Sequence, residues 1–344
     1  MKVWLREAVE TTCQLLIRAG VTEDAAAAAA DVFSRAALHG AGHHDLSELP
    51  GRLKALETDV INPHPQITLL HASGAMEGYE GDRGLGEVHG MLIARRAVEL
   101  AKVHGVGVCT IRNSNHLLAC APYAEWMAEQ GMLGYLITRG GPSMGAPGRK
   151  EQVCGSAPQS FSVKLPGGDM LSFDACLAYT SFGELLQRSR KGCVIPPYWA
   201  LDAQGNPTDN PDVVLNGGTR LPIGAHKGFG LAILGELLTG VLADGQIIDE
   251  EQPGTGRVGA PSHTAICLDV GALIGRERFA ARADEMVLRM KRRAPGLTVP
   301  GERSSAYRKQ ALANGTVDVD DATFASINAY CRRWNLPCLS QSNA

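Results

Sequence analysis

The sequence predicts a mixed α/β protein built on a large mixed sheet. Three observations carry that expectation. Two apolar, β-branched runs, 106–112 (VGVCTIR) and 132–138 (MLGYLIT), flank a helical pattern over 122–130, the strand–helix–strand order of α/β proteins. A second strand pair, 160–165 and 170–175, turns across Pro166-Gly167-Gly168. Helical periodicity then recurs toward both ends of the chain.

In chain order, Leu5, Val9, Leu15 and Leu16 share one side of a helix over 3–19 that Gly20 stops. Thr22 reads as an N-cap, with Glu23 and Asp24 in the first turn, and the alanine run 25–30 carries a helix to about Leu38. Gly40 and Gly42 end it, which leaves His43, His44 and Asp45 on a loop before a helix reaching about Leu56. Glycine is dense over 74–90, and a helix over 92–104 closes at Gly105. Residues 140–150 form a Gly/Pro-rich loop. Helices follow at 181–190, 228–243, 277–293 and 322–334, with a strand at 264–269.

At 344 residues, the chain is long enough for two domains, or for one large domain carrying a smaller one. Apolar residues at 44% and charged residues at 20% describe an ordinary globular protein. A net charge of −3 and only 5% aromatics provide neither the basic field nor the stacking surface of a nucleic-acid binder. The nine cysteines contain no CxxC pair, and Cys109 and Cys267 sit in apolar runs, as small buried hydrophobes do in a reducing compartment. No apolar span reaches the ~18 residues of a membrane helix, and Arg6, Glu7 and Glu10 occupy the place of a signal peptide's apolar run. The expectation is a cytoplasmic protein that engages neither membrane nor nucleic acid.

Four groups carry chemistry. The first is His39-Gly-Ala-Gly-His43-His44-Asp45. Imidazoles beside a carboxylate suit proton transfer near neutral pH. They also suit zinc or iron, so a metal-dependent hydrolase using His39, His43, His44 and Asp45 is the alternative from another class. Against a metal, neighbouring loop residues rarely ligate one ion together, and HExxH is absent. A purely structural or solvated cluster is the third reading. The second group, Asn113-Ser114-Asn115-His116, ends the 106–112 strand, where α/β proteins present reactive side chains. The third, Gly224-Ala-His226-Lys227-Gly-Phe-Gly230, opens a helix; glycines, a helix N-terminus and a lysine make an anion site. In the fourth, Pro300-Gly301-Glu302-Arg303, an arginine could meet a phosphate through two donors. No GxGxxG fingerprint with the right context occurs.

In order and spacing, ALHGAGHHDLSELPG, GVGVCTIRNSNH, YAEWMAEQGMLGY, ALDAQGNPTDNP, LPIGAHKGFGLAILGELLTGVL and VPGERS resemble the type 2 malate/L-lactate dehydrogenase family across nearly the whole chain. The resemblance implies a reductase using NAD or NADP, usually a homodimer, with a non-Rossmann cofactor domain. It places that domain at 73–295 and a mainly helical domain at 1–72 with 296–344. By matching motifs, His44 falls where the family has its proton donor and His116 where it has a second active-site histidine. Met170, Leu171, Ser172, Phe173, Asp174, Ala175 and Cys176, the pair His226-Lys227, and the turn Gly301, Glu302, Arg303 fall where the cofactor is held.

The chain departs from the pattern at several positions. Ser-His-Gly is His43-His44-Asp45 here, and the arginine expected four residues after His44 is Glu48. Gly155-Ser156-Ala157-Pro158 replaces Gly-Thr-Asn-Pro, and Cys176-Leu177-Ala178 replaces Ala-Thr-Ser. An anion at position 48 disfavours an ordinary 2-oxo acid. Two expectations follow. Either Glu48 and Asp45 face a basic substrate while Arg139 or His43 takes any carboxylate, or redox activity has been lost.

Overall fold

The N-terminal helices form because each carries one apolar stripe to bury. In the computed structural model, which describes residues 1–251 and 258–342, helix Leu5–Arg18 lays Ala8, Leu15 and Leu16 against Ala26, Ala29, Val32 and Phe33 of helix Glu23–Ala37. Leu49 and Leu53 of helix Leu49–Glu57 join the same core. Fully buried side chains of this size each contribute about 1.5–3 kcal/mol.

The large sheet has seven strands in the order Thr68–Ser73, Met76–Glu80, Val106–Arg112, Ser262–Leu268, Leu133–Arg139, Gln159–Lys164, Met170–Ala175. Met76–Glu80 runs parallel to Val106–Arg112. Every other neighbouring pair is antiparallel. A Rossmann sheet is mostly parallel, so this one is not of that type. Helices Gly86–His104 and Ala121–Glu129 pack on it and continue the core with Ile93, Ala97, Tyr123 and Met127. A smaller sheet joins Ala200–Leu201, Thr219–Arg220, Met144–Gly145 and Gln152–Cys154. A two-stranded ribbon, Lys2–Trp4 with Thr316–Asp318, ties the two ends of the chain together.

The expected strands at 106–112 and 170–175 occur at those residues, and the helices at 277–293 and 322–334 are Arg276–Arg293 and Asp321–Arg333. Several elements go beyond the sequence reading. The hairpin of Thr68–Ser73 and Met76–Glu80 puts residues 68–72 in the large sheet. Met144–Gly145 is a strand inside the expected loop, and Glu302–Asn314 is a helix. Among the described residues no helix is long and apolar enough to cross a membrane.

Candidate active site

The first histidine sits on a strained loop. His44 has φ +55°, a left-handed conformation that costs a non-glycine residue roughly 1–2 kcal/mol and persists only where its surroundings over-determine it. Asp45 follows; its Oδ1 accepts from the Ser47 N–H at 2.9 Å and so caps the short helix Leu46–Glu48 that leads into Leu49–Glu57. Glu48 and Arg52 are therefore one helical turn apart, and the preceding loop folds His44 back beside Glu48. Glu48 Oε1 stands 3.5 Å from His44 Nδ1, an ion-pair distance too long for a well-made hydrogen bond, and Glu48 Oε2 stands 3.5 Å from Arg52 Nη1.

The second histidine comes from the end of strand Val106–Arg112. Asn115 Nδ2 donates to the carbonyls of Arg83 (2.6 Å) and Gly84 (2.9 Å) and moors this loop. Gly86 opens its helix directly under it: a Cβ there would lie 2.2 Å from the Asn115 carbonyl oxygen, so no side chain fits. Arg52 completes the anchorage. Its Nη2 donates to the His116 carbonyl and to His116 Nδ1, both at 3.0 Å, and its Nε donates to Glu87 Oε1 at 2.8 Å. The rings of His44 and His116 lie 5.0 Å apart, tilted by 37°. His43 is edge-on to His44 at 5.0 Å, turns its Nδ1 to the Ala41 carbonyl, and lies against Gly183.

These contacts set the charges. The facing His44, with His116 and Arg52 beyond it, pulls the Glu48 carboxyl down to about 2 against the opposing effect of burial. Burial, then Arg52 and His44, push the His116 imidazole down to about 3. The residue as a whole is exposed. Its Nδ1 edge is nonetheless filled by donors, so it is the rest of the ring that meets solvent. Burial and the neighbouring His44 also lower His43. The buried Arg52 is raised by Glu87 and Glu48, which outweigh its desolvation.

The segments expected to hold a dinucleotide converge on one stretch of backbone. The Ser172 N–H donates to the Pro300 carbonyl at 3.3 Å, and a Cβ on Gly301 (φ +94°) would sit 2.6 Å from the Met170 carbonyl oxygen. Only glycine allows that approach. Further along, the Ile223 N–H donates to the Leu177 carbonyl and the Tyr179 N–H to the Leu221 carbonyl, which hangs the 224–228 turn on the same stretch. Ala225 there has φ +52° and caps helix His226–Glu236. His226, Lys227 and Arg303 are exposed, and their side chains make no hydrogen bond or ion pair among the described residues. A cleft of about 360 Å³, lined by Asp169, Met170, Ser304, Ser305, Arg308 and Lys309 among others, opens beside Gly301. A second groove of about 380 Å³, between Met132, Val163 and Phe279, contains none of the candidate residues.

Other expected residues have different work. Arg139 is not brought to the histidines: its side chain is 0% exposed, with Nε 2.8 Å from Glu236 Oε2 and Nη1 on the Gln246 carbonyl. Glu236 Oε1 in turn accepts from the Gly155 N–H at 2.9 Å. Asp45 is occupied as a cap, and Glu302 accepts from the Val299 N–H and pairs with Lys291. Asp174 accepts from the Ala121 N–H at 2.6 Å and caps helix Ala121–Glu129. His39 turns to Glu125 Oε2 at 3.1 Å, so His39, His43, His44 and Asp45 do not face one point. Among the described residues no group of three such side chains is placed to hold a metal ion, and the hydrolase alternative has no donor set. Sequence reasoning missed Arg52, although its spacing of four from Glu48 and eight from His44 was visible.

The chain as a whole has recognisable relatives. A family model described as malate/L-lactate dehydrogenase matches residues 4–328. L-Sulfolactate dehydrogenase from Methanocaldococcus jannaschii is 31% identical over 334 residues, covering 94% of each chain. A solved sulfolactate dehydrogenase from that organism has a TM-score of 0.88 at 29% identity, with 98% of each chain covered. 2,3-Diketo-L-gulonate reductase from Citrobacter koseri is 28% identical over 334 residues, 96% of this chain and 100% of the relative. The structure of a piperideine-2-carboxylate reductase from Pseudomonas syringae shares the fold, with a TM-score of 0.87 at 22% identity over 96% of this chain and 99% of that one. The chain belongs to the malate/L-lactate dehydrogenase family and is an oxidoreductase of the dehydrogenase and reductase type.

Proposed function

We propose that the protein reduces a C=O or C=N bond next to a carboxyl or amide group, using NADH or NADPH. The observation that carries this reading is the His44–His116 pair, 5.0 Å apart, with His44 acting electrostatically on Asp174 of the stretch on which two turns with unpaired cations converge. The family implies a nicotinamide cofactor, and the residues present fit one. Gly301 lets the Arg303 turn pack directly on the Met170–Ser172 backbone, while Lys227, Arg303 and the start of helix His226–Glu236 present positive charge to a pyrophosphate. When bound, the reduced nicotinamide supplies the hydride. His44 delivers the proton to the developing oxyanion or amide, and His116 assists by hydrogen bonding.

Glu48 is not a free anion in this site. His44 and Arg52 flank it, so the charge that disfavoured an acidic substrate is offset one turn along the helix. That supports 2-oxo acids and cyclic imines over basic ketones. Leu231, Leu234, Leu237 and Val241, each 45–56% exposed along one helix, support a homodimer. Nine free thiols support a reducing, cytoplasmic setting. The test follows reduced-cofactor absorbance with 2-oxo acids, cyclic imines and amine-bearing ketones, using both cofactors. His44→Ala should lower turnover about 10²-fold or more and leave cofactor binding intact. Unchanged turnover rejects the role of His44.

A further inference from the structure

The geometry points to Arg52 as a positioning residue that locks His116 into one neutral tautomer, protonated on Nε2, so that His116 is a permanent donor and His44 alone exchanges a proton with substrate. This rests on the proposed reductase site but concerns a residue outside its matching motifs. The available hydrogens fix the tautomer. Two groups meet His116 Nδ1: Arg52 Nη2 at 3.0 Å and the Leu118 N–H at 3.2 Å. A guanidinium and a backbone amide can only donate, so Nδ1 must accept and the ring's single proton resides on Nε2. Adding a proton to Nδ1 would break both bonds and set an imidazolium against a guanidinium. The low basicity of His116 agrees with this.

Arg52 cannot swing away. It is buried, Glu87 holds its Nε at 2.8 Å, Glu48 lies on the opposite side, and Nη2 also binds the His116 carbonyl. Leu118 is itself held at φ +69°, which aims its N–H back at the ring. The charged and titratable groups that act on His116 are Arg52, His44, Glu48 and, behind the loop, His263. His263 is buried and pushed down to about 3, and it bonds Ser114 and Asn115, so it adds no positive charge near neutral pH. Arg52 is therefore the cation that governs this ring.

The direct test is a long-range proton–nitrogen spectrum of the full chain labelled with ¹⁵N-histidine, with His116→Asn assigning the signal. His116 should show a pyrrole-type Nε2 and a pyridine-type Nδ1, unchanged from about pH 5 to about pH 9, across the usual imidazole transition. A proton on Nδ1, or titration near the unperturbed value of about 6.5, overturns the proposal. Removing Arg52 alone strands Glu87, so the informative variant is Arg52→Met with Glu87→Met. His116 should then titrate and the pH profile of kcat should gain an ionisation, while the cofactor KM stays within about twofold; Arg52→Lys should restore the flat profile. A His116 that still fails to titrate in the double variant also overturns it. If that variant does not fold, the wild-type spectrum decides. The spectrum requires no turnover, so failure of the reductase reading and failure of this one are separately visible.

Discussion

Two buried arginine–glutamate pairs divide this molecule between chemistry and scaffold. Arg52 with Glu87 and Arg139 with Glu236 have the same 2.8 Å Nε contact and almost no exposure. They differ in what the other guanidinium donors meet. In Arg139 they go to the Gln246 and Ala260 carbonyls, and Glu236 grips the Gly155 amide, so the pair fastens loops. In Arg52 they go to a ring nitrogen and to Glu48, so the pair reaches the histidines proposed to handle protons. Burial and pairing do not make an arginine part of a site; the destination of its spare hydrogens does.

The comparison can be broken first through stability. Arg139→Met leaves Glu236 buried without a counter-charge, and should cost about 3–5 kcal/mol in denaturant unfolding. Adding Glu236→Met should recover most of it, because an apolar pair of similar volume is close to neutral. If Arg139→Met unfolds like the wild type, the scaffold half of the contrast fails. Next in size are the cations that have no carboxylate. Lys227→Met and Arg303→Met should each weaken cofactor binding about tenfold, or 1.4 kcal/mol, in a fluorescence titration, without moving the unfolding midpoint. A lower midpoint with unchanged affinity would make them scaffold residues like Arg139.

The smallest effect concerns Glu48. Its carboxyl ionises at about 2 in the folded chain, below the ordinary value of 4.5. The stability it contributes is complete above about pH 4.5 and is lost as pH falls toward 2. Glu48 is partly open to solvent, so that contribution is under about 1 kcal/mol. The unfolding difference between wild type and Glu48→Gln should be largest near neutral pH and shrink as pH is lowered through that window. A difference that grows on acidification would mean the His44 and Arg52 contacts are not made.

These two arginines also show where sequence reading succeeds and fails. Strands such as Val106–Arg112 were legible because burial on both faces demands a continuous apolar run. His44 drew attention because a histidine beside glycine turns is a poor core residue, and His116 because it follows the end of a strand. Helix Glu302–Asn314 was not, because only Ala311 of its thirteen residues is buried and no apolar stripe marks it. Strand Thr68–Ser73 was hidden for a similar reason: all six of its residues are exposed, so no in–out alternation is imposed on it. Arg139 drew attention as a cation that could take a substrate carboxylate, and Arg52 passed as an ordinary helix residue. Separating them requires Glu236 and Glu87, which lie 97 and 35 residues away in the chain. Distance in sequence hides such partnerships.

The ribbon of Lys2–Trp4 and Thr316–Asp318 joins segments far apart in sequence. Helix Glu302–Asn314 leads straight into that ribbon, and the Leu5 N–H bonds the Gly315 carbonyl at 2.9 Å, so residues 2–5 seat the far end of that helix. The Gly301 turn at its near end rests on Met170 and Ser172. One helix thus spans between the helical core and the edge strand of the large sheet, and peeling the ribbon away should loosen that turn while leaving the histidine pair in place.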